Sequence, residues 1–279
     1  MAKNFKAIQI VQDDSLELME VGNWSQKKYK LVGKYCDIFT SGMRNKWNLI
    51  YIDLFCGPGF VKNKQSGAIL KNSALIAMSL QHKFNFYALN DFNSKNCEAL
   101  ETRIKRLYPN ISYNIFNLDA NTNIEEIIQQ IPEFNNGKPD LFFCFLDPFS
   151  LNLNFETVRT LARFQSDFLI LHALQMDARR NIVKYMGQSN DTVEKFLGNS
   201  NWRNKYQEQE YIQKDFTKFL SEEYDSSMNV LGYEPAKKEI IKNTQGNGIY
   251  YLAFYSKHSR GLDFFEKVSK GDNDQLELF

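Results

Sequence analysis

Two apolar runs end in residues whose types suit chemistry: Ile50-Tyr-Ile-Asp-Leu-Phe-Cys-Gly-Pro-Gly59 and Leu141-Phe-Phe-Cys-Phe-Leu-Asp-Pro-Phe-Ser150. A strand that reaches Asp53 and then a two-glycine turn, Gly57 and Gly59, is how an open α/β sheet lays backbone against a nucleoside-bearing cofactor. An ordinary strand-to-helix turn is the competing reading. In the second run, Asp147 and the Pro148 carbonyl suit the N–H groups of a planar amine, and Phe149 suits stacking on its ring. A plain strand-ending turn is the alternative there. The dinucleotide fingerprint requires a third glycine, but Phe60-Val61-Lys62 follows Gly59, so a nicotinamide dinucleotide is the least favoured ligand.

Holding these groups at one edge requires a repeated strand-then-helix order, which reads as a mostly parallel sheet with helices on both faces. The spacing predicts a first helix over 25–40 and strands over 48–55, 84–89, 111–116, 141–146 and 168–171. Each of the first four strands ends in or near an acidic residue, namely Asp53, Asp91, Asp119 and Asp147, and Asp91 or Asp119 alone could be a helix N-cap. Lys27, Lys28, Lys30 and Lys34 on the first helix read as a solvated face, with nucleic-acid contact the minority reading. A polar, helix-prone insertion over 176–233 follows strand five at the same edge. Its arginines, Arg179 and Arg180 first, and its interleaved aromatics suit phosphate contacts and base stacking, or else form a small cap with a solvated face. An antiparallel pair over 237–242 and 249–256 closes the sheet, so the chain divides into a helical segment (1–47), a Rossmann-like core (48–175), the insertion, the closing hairpin with a last helix (234–268) and a tail (269–279).

The Asp-x-x-x-Gly-x-Gly pattern resembles the first motif of class I S-adenosylmethionine-dependent methyltransferases. That resemblance implies that Asp53 steadies the amino group of the methionine part and that Phe55, Gly57 and Gly59 lie against the cofactor. It also implies that Asp91 or Asn90 accepts the ribose hydroxyls and that Asp119 and Ala120 contact the adenine. Asp147-Pro148-Phe149 resembles the Asp-Pro-Pro-Tyr motif of amino-methyltransferases acting on nucleic acids and the Asp-Pro-Phe-Gly motif of tRNA guanine dimethyltransferases, with the second proline absent and Ser150 in place of glycine. Along nearly its full length the chain resembles the three-Cys-motif partner protein (TcmP) family, through residues 27–35, 51–59, Lys71-Asn-Ser-Ala74, 145–149 and the His258-x-Arg-Gly-Leu262 segment. Asn72-Ser73-Ala74 departs from the more usual Gly-Ser-Pro. The family resemblance implies a partner with three cysteines, of iron-sulfur, radical type, in a modification or defence system.

A chain of 279 residues suits one α/β domain with an insertion, and a net charge of +1 argues against a protein that grips nucleic acid mainly by overall charge. Four widely spaced cysteines imply no disulfide framework, and three scattered histidines imply no metal site. Without an apolar signal core or a spanning run, the expected location is cytoplasmic, away from any membrane. Residues 271–274 read as a flexible linker. After them Gln275, Leu276, Leu278 and Phe279 resemble the peptide by which bacterial polymerases and repair proteins dock on the DNA sliding clamp; the alternative is a tail folded back on the body. The leading expectation is a methyltransferase of nucleic acid, DNA over RNA, acting on a base amino group. The alternative is a non-catalytic subunit that brings a radical-type enzyme to clamp-loaded DNA.

Overall fold

Central strands such as Leu49-Ile-Tyr-Ile52 and Leu141-Phe-Phe-Cys-Phe-Leu146 are apolar at successive positions, so both faces of their sheet must be covered. The computed structural model describes residues 6–208, 215–234, 237–242, 245–246 and 248–273. Two short strands, β1 (Ile10–Val11) and β2 (Met19–Val21), precede a long helix, α1 (Trp24–Met43). Next come β3 (Asn48–Asp53), a hairpin of β4 (Phe60–Asn63) and β5 (Ile69–Lys71), and α2 (Ser73–Met78). The chain then alternates through β6 (Phe86–Asn90), α3 (Ser94–Leu107), β7 (Tyr113–Phe116), α4 (Ile124–Gln129), β8 (Asp140–Leu146), α5 (Phe155–Leu161) and β9 (Ser166–His172). A π-helical turn (Leu174–Ala178) leads into α6 (Ile182–Met186), α7 (Thr192–Leu197), α8 (Trp202–Glu208) and α9 (Phe216–Val230). The last elements are β10 (Lys237–Lys242), β11 (Gly248–Tyr255) and α10 (Ser259–Asn273).

The main sheet runs β10-β11-β9-β8-β3-β6-β7. Strands β7, β6, β3, β8 and β9 are mutually parallel, and β11 is antiparallel both to β9 and to β10. This is the Rossmann-like class I methyltransferase sheet expected from the sequence, with its closing pair inserted so that only the final strand runs backwards. Sequence order reverses between β3 and β8, and ligands of such sheets bind outside the carboxyl ends at that switch.

Alternation sorts the core. Leu49, Tyr51, Phe143 and Phe145 face α1, α2 and α10, whereas Ile50, Ile52, Phe142 and Cys144 face α5, α7 and α9. Among the described residues, aromatic side chains of the insertion belong to this second layer: Trp202 is fully buried, and Tyr206 packs on Phe216 and Phe219 at ring-centroid distances of 5.1 and 5.0 Å. These rings support the sheet, as in the cap alternative of the sequence reading. Arg203 likewise lies over Trp202 and donates to the Tyr185, Gly187 and Asn190 carbonyls.

Two features differ from the sequence expectation. The glycine turn opens into the β4–β5 hairpin instead of a helix, and β4 and β5 join β1 and β2 in a second sheet ordered β1-β5-β4-β2. Asn63 makes that hairpin by accepting the Gln65 and Ser66 N–H groups through its side chain, with Gly67 at φ 71° closing the turn. The last helix continues through Gly271, Asp272 and Asn273, where the sequence suggested a linker. The four cysteines are all buried and free. Among the described residues no helix is long and apolar enough to cross a membrane, and no cluster of three or more histidine, cysteine or acidic side chains is placed to hold a metal ion.

Candidate functional site

The carboxyl ends of β3, β6, β7 and β8 open into one cavity of about 860 Å³. Its floor is Leu54 and Phe55; Asn90 to Asn93 and Leu118 to Asn121 form one end, and Asp147, Pro148 and Phe149 form the other. The N-terminal segment from Glu17 to Val21 and Trp24 and Lys28 of α1 close one side, while Tyr250 of β11 and Asp191, Thr192 and Lys195 at α7 complete the wall.

At the β6 end, the neighbours Asn90 and Asp91 separate into two tasks. Asn90 is buried and spends its side chain on the chain itself, donating to the Leu54 and Leu118 carbonyls and accepting the Leu118 N–H, each at 3.1 Å. It ties the ends of β3, β6 and β7 together and spends both of its amide N–H groups within the chain. Asp91 is half-buried and lines the cavity; its Oδ2 accepts the Gly57 N–H at 2.8 Å and its Oδ1 accepts from Asn93 and Asn96. A carboxylate fixed in this way keeps an acceptor site on Oδ2 for a ligand hydroxyl. Asp119 is exposed and accepts the Asn121 N–H at 2.8 Å, and Ala120 beside it is buried. Phe92, 79% exposed at the cavity wall, was not singled out in the sequence; an aromatic directly after the strand-end carboxylate was the available signal.

Gly57 and Gly59 have φ of 58° and 91°, conformations that a side chain rarely adopts. A Cβ on Gly59 would lie 2.9 Å from both Leu75 and Leu100, so this glycine serves the packing of α2 and α3. Neither glycine lines the cavity; their turn is a strut behind it. Arg103, fully buried, locks that strut by donating to the Pro58 carbonyl at 2.6 Å, to the Glu17 carbonyl and to both oxygens of Asp14. Although partial burial favours the neutral acid, hydrogen bonds from Arg103 and Arg106 outweigh it and bring the Asp14 carboxyl down to about 2.

Asp53 lies behind the cavity wall. Two residues beyond Tyr51, it shares the face covered by α1 and α2, and it is fully buried. Ser73 Oγ donates to it at 2.8 Å, and the Tyr51 hydroxyl and Phe55 N–H each donate at 3.2 Å. Burial, with the charge of Asp147 adding to it, raises its pKa to about 7 against these hydrogen bonds. It does not line the cavity, whereas Glu17 and Glu20 of the N-terminal segment do.

At the other end, Asp147 follows Phe143 and Phe145 on the α1 side and meets Lys28, whose ammonium donates to Asp147 Oδ2. Lys28 is therefore not part of a solvated face. Its side chain is 5% exposed, and its ammonium sits 5.6 Å from the Trp24 ring and 4.8 Å from the Tyr29 ring. Burial by itself favours the neutral amine, but Asp147 more than offsets this and holds Lys28 charged. The signal was in the sequence: Lys28 lies four residues after Trp24 and four before Val32, on the inward stripe of α1. Tyr250, its ring 4.8 Å from that of Trp24, has its hydroxyl pushed up to about 12 by burial and by Asp147. Pro148 is buried, and Phe149 stands 82% exposed at the rim.

Arg179 and Arg180 are exposed and do not line the cavity. Asp177 explains their position: it accepts the Leu151 N–H and bonds Asn181 and Tyr185, turning the start of the insertion down beside β8. The insertion reaches the cavity instead through the Asp191–Lys195 pair, 2.7 Å apart, and Thr192. Gln275, Leu276, Leu278 and Phe279 lie outside the described residues.

No protein-family profile and no curated protein matches the chain. Among solved structures it is similar to protein LPL1258 from Legionella pneumophila, at 9% identity over 82% of this chain and 83% of that one, with a TM-score of 0.47. An O-methyltransferase from Bacillus cereus in complex with SAH is 14% identical over 81% and 80% of the two chains, with a TM-score of 0.45. Magnesium protoporphyrin IX methyltransferase from Synechocystis PCC 6803, with bound SAM, is 13% identical over 84% of each chain, with a TM-score of 0.40. These distant likenesses assign no residue.

Proposed function

We propose that the chain is an S-adenosylmethionine-dependent methyltransferase that modifies a base amino group of nucleic acid, DNA in preference to RNA. The observation that carries this reading is one cavity with a nucleoside-suited wall at one end and Asp147-Pro148-Phe149 at the other. The residues present fit the cofactor in part. Asp91, with Asp119, Ala120 and Phe92 near it, would hold the adenosine, and Glu17 or Glu20, in place of Asp53, would meet the amino group. When bound, the cofactor supplies an electrophilic methyl: the amine nitrogen's lone pair forms the N–C bond as the C–S bond breaks, and sulfur keeps that pair.

The protein's part is positioning. Asp147 and the Pro148 carbonyl accept the two N–H groups and aim the lone pair, and the nitrogen then releases one proton through the carboxylate to water. Phe149 stacks on the base from the rim. Membership of the TcmP family and work beside an iron-sulfur partner in modification or defence are part of the same proposal, supported by the sequence motifs. Recruitment by the sliding clamp is a separable part, and loss of clamp binding on deleting residues 275–279 is its test. The test of the reaction is transfer from methyl-labelled S-adenosylmethionine into separate DNA, RNA and protein fractions. Label in DNA that disappears with Asp147→Ala is the expected result; label only in protein would reject the reading.

The second reading, a non-catalytic subunit, draws on the Lys28–Asp147 pair, since the acceptor carboxylate already has a partner. Cofactor binding without label in any fraction until the partner is added would favour it.

A further inference from the structure

Lys28 is a buried charge to which the proposed reaction gives no task. Among the described residues Asp147 is its one carboxylate partner, and the rings of Trp24 and Tyr29 fix the ammonium from two sides. A buried ion pair is weak evidence for stability, because desolvating both charges opposes their attraction. What such a pair does well is fix a geometry.

The local geometry gives that fixing a purpose. Asp53 stands opposite Phe145 in the β3–β8 register, two residues before Asp147, so two carboxyl groups approach each other behind the cavity. The hydroxyls of Tyr29, on α1, and Tyr250, on β11, both feel the charge of Asp147, which with burial raises their pKa. Asp53 already accepts from Ser73, Tyr51 and Phe55. Asp147 receives Lys28 on Oδ2, and among the described hydrogen bonds nothing donates to its Oδ1. A carboxylate with one oxygen pinned and one open is a directional acceptor.

We infer that Lys28 is a positioning residue for the acceptor site: its ammonium, caged by Trp24 and Tyr29, pins Oδ2 of Asp147 and leaves Oδ1 to take an N–H of the substrate amine. This rests on the proposed methyltransferase reading and adds a residue on α1 to the acceptor site. It also makes α1 part of the active site and not only a cover for the sheet.

The test compares Lys28→Met, which keeps the stem but loses the charge, with Lys28→Arg, which keeps the charge. In labelled-methyl transfer to DNA, Lys28→Met should lose about 100-fold in kcat while the KM for S-adenosylmethionine stays within about threefold, the size expected for one misplaced polar group at a reacting centre. Lys28→Arg should recover at least about a tenth of the rate. Normal turnover by Lys28→Met overturns the inference, as does a folded Lys28→Arg protein no better than Lys28→Met. Thermal unfolding supplies a readout that needs no activity. Lys28→Met should lower Tm by about 5 °C or more, and adding Asp147→Asn should restore much of that loss, because the unpaired buried charge is then gone. A double variant no more stable than Lys28→Met alone overturns the coupling. If the wild-type protein labels no acceptor at all, the methyltransferase reading fails and this role with it, while the thermal cycle still reports whether the pair couples.

Discussion

The two ends of the cavity are built in different ways. At the β6–β7 end most of the holding bonds are short-range: Asp91 follows Asn90, Asp119 follows β7, and Asn93, Asn96 and Asn121 hold them, with the Gly57 N–H the one longer contact to the Asp91 carboxylate among those described. At the β8 end the key contact joins residues 119 apart in sequence, Lys28 and Asp147, with Tyr250 of the last strand completing the wall. A locally built end tolerates loss of a distant element, whereas an end assembled from α1, β8 and β11 responds to all three. Binding should therefore depend mainly on the first end and turnover on the second.

The largest expected effect falls on the second end. Asp147→Ala should cut methyl transfer by about 10³-fold and leave S-adenosylmethionine affinity within about twofold, measured by label incorporation and by titration calorimetry. Equal losses of rate and affinity would break the separation of the two ends. Asp91→Ala should do the reverse, weakening cofactor affinity by about 10- to 100-fold through loss of the proposed ribose contact and the freed Gly57 N–H, with the residual kcat less affected. Its neighbour sharpens the distinction. Asn90→Ala should cost about 2–3 kcal/mol in denaturant unfolding, since three buried hydrogen bonds go at once.

Asp53 gives a pH prediction. Its proton leaves at about 7 in the folded chain, against 3.8 as the ordinary value, so the folded state binds more protons between those limits. Stability should accordingly fall as pH rises from about 4 to about 7. Asp167, pushed up to about 6 by burial although Ser256 and Tyr35 hydrogen-bond to it, acts in the same direction. Asp53→Asn should remove the larger part of the slope and raise Tm at pH 8; an unchanged profile would show that Asp53 is ionised when folded. The smallest effect belongs to Arg179 and Arg180, whose alanine variants should leave stability within about 0.5 kcal/mol. If they touch phosphate, each should reduce the log–log salt slope of DNA binding by about one.

The family-like segment at the end of β11 shows how a legible pattern can have a structural reason. A Cβ on Gly261 would fall 2.4 Å from Ser256 Oγ and 3.2 Å from Asp167, and Ser256 Oγ accepts the His258 N–H. Asp167 lies at the start of β9, the edge opposite the cavity, so the glycine allows α10 to pack there and does not contact a ligand.

The sequence by itself determined the seven strands of the main sheet, their order of appearance and the acidic residues after the first four of them. Those signals are local, because a continuous apolar run of six or seven residues ending in Asp needs both faces buried and exposes its end. Tertiary structure alone decided which of those acids meet the cavity. Pleat parity turns Asp53 inward beneath α1 and α2, and Asn90 spends its N–H groups on neighbouring strands while Asp91 lines the cavity. Lysine 28 acquires its partner only when α1 lies across β8, and the insertion meets the cavity through α7 while Arg179 and Arg180 stay outside, because Asp177 fastens its first turn to Leu151. Charge pairing at a distance depends on how elements dock, and no spacing within one segment encodes it.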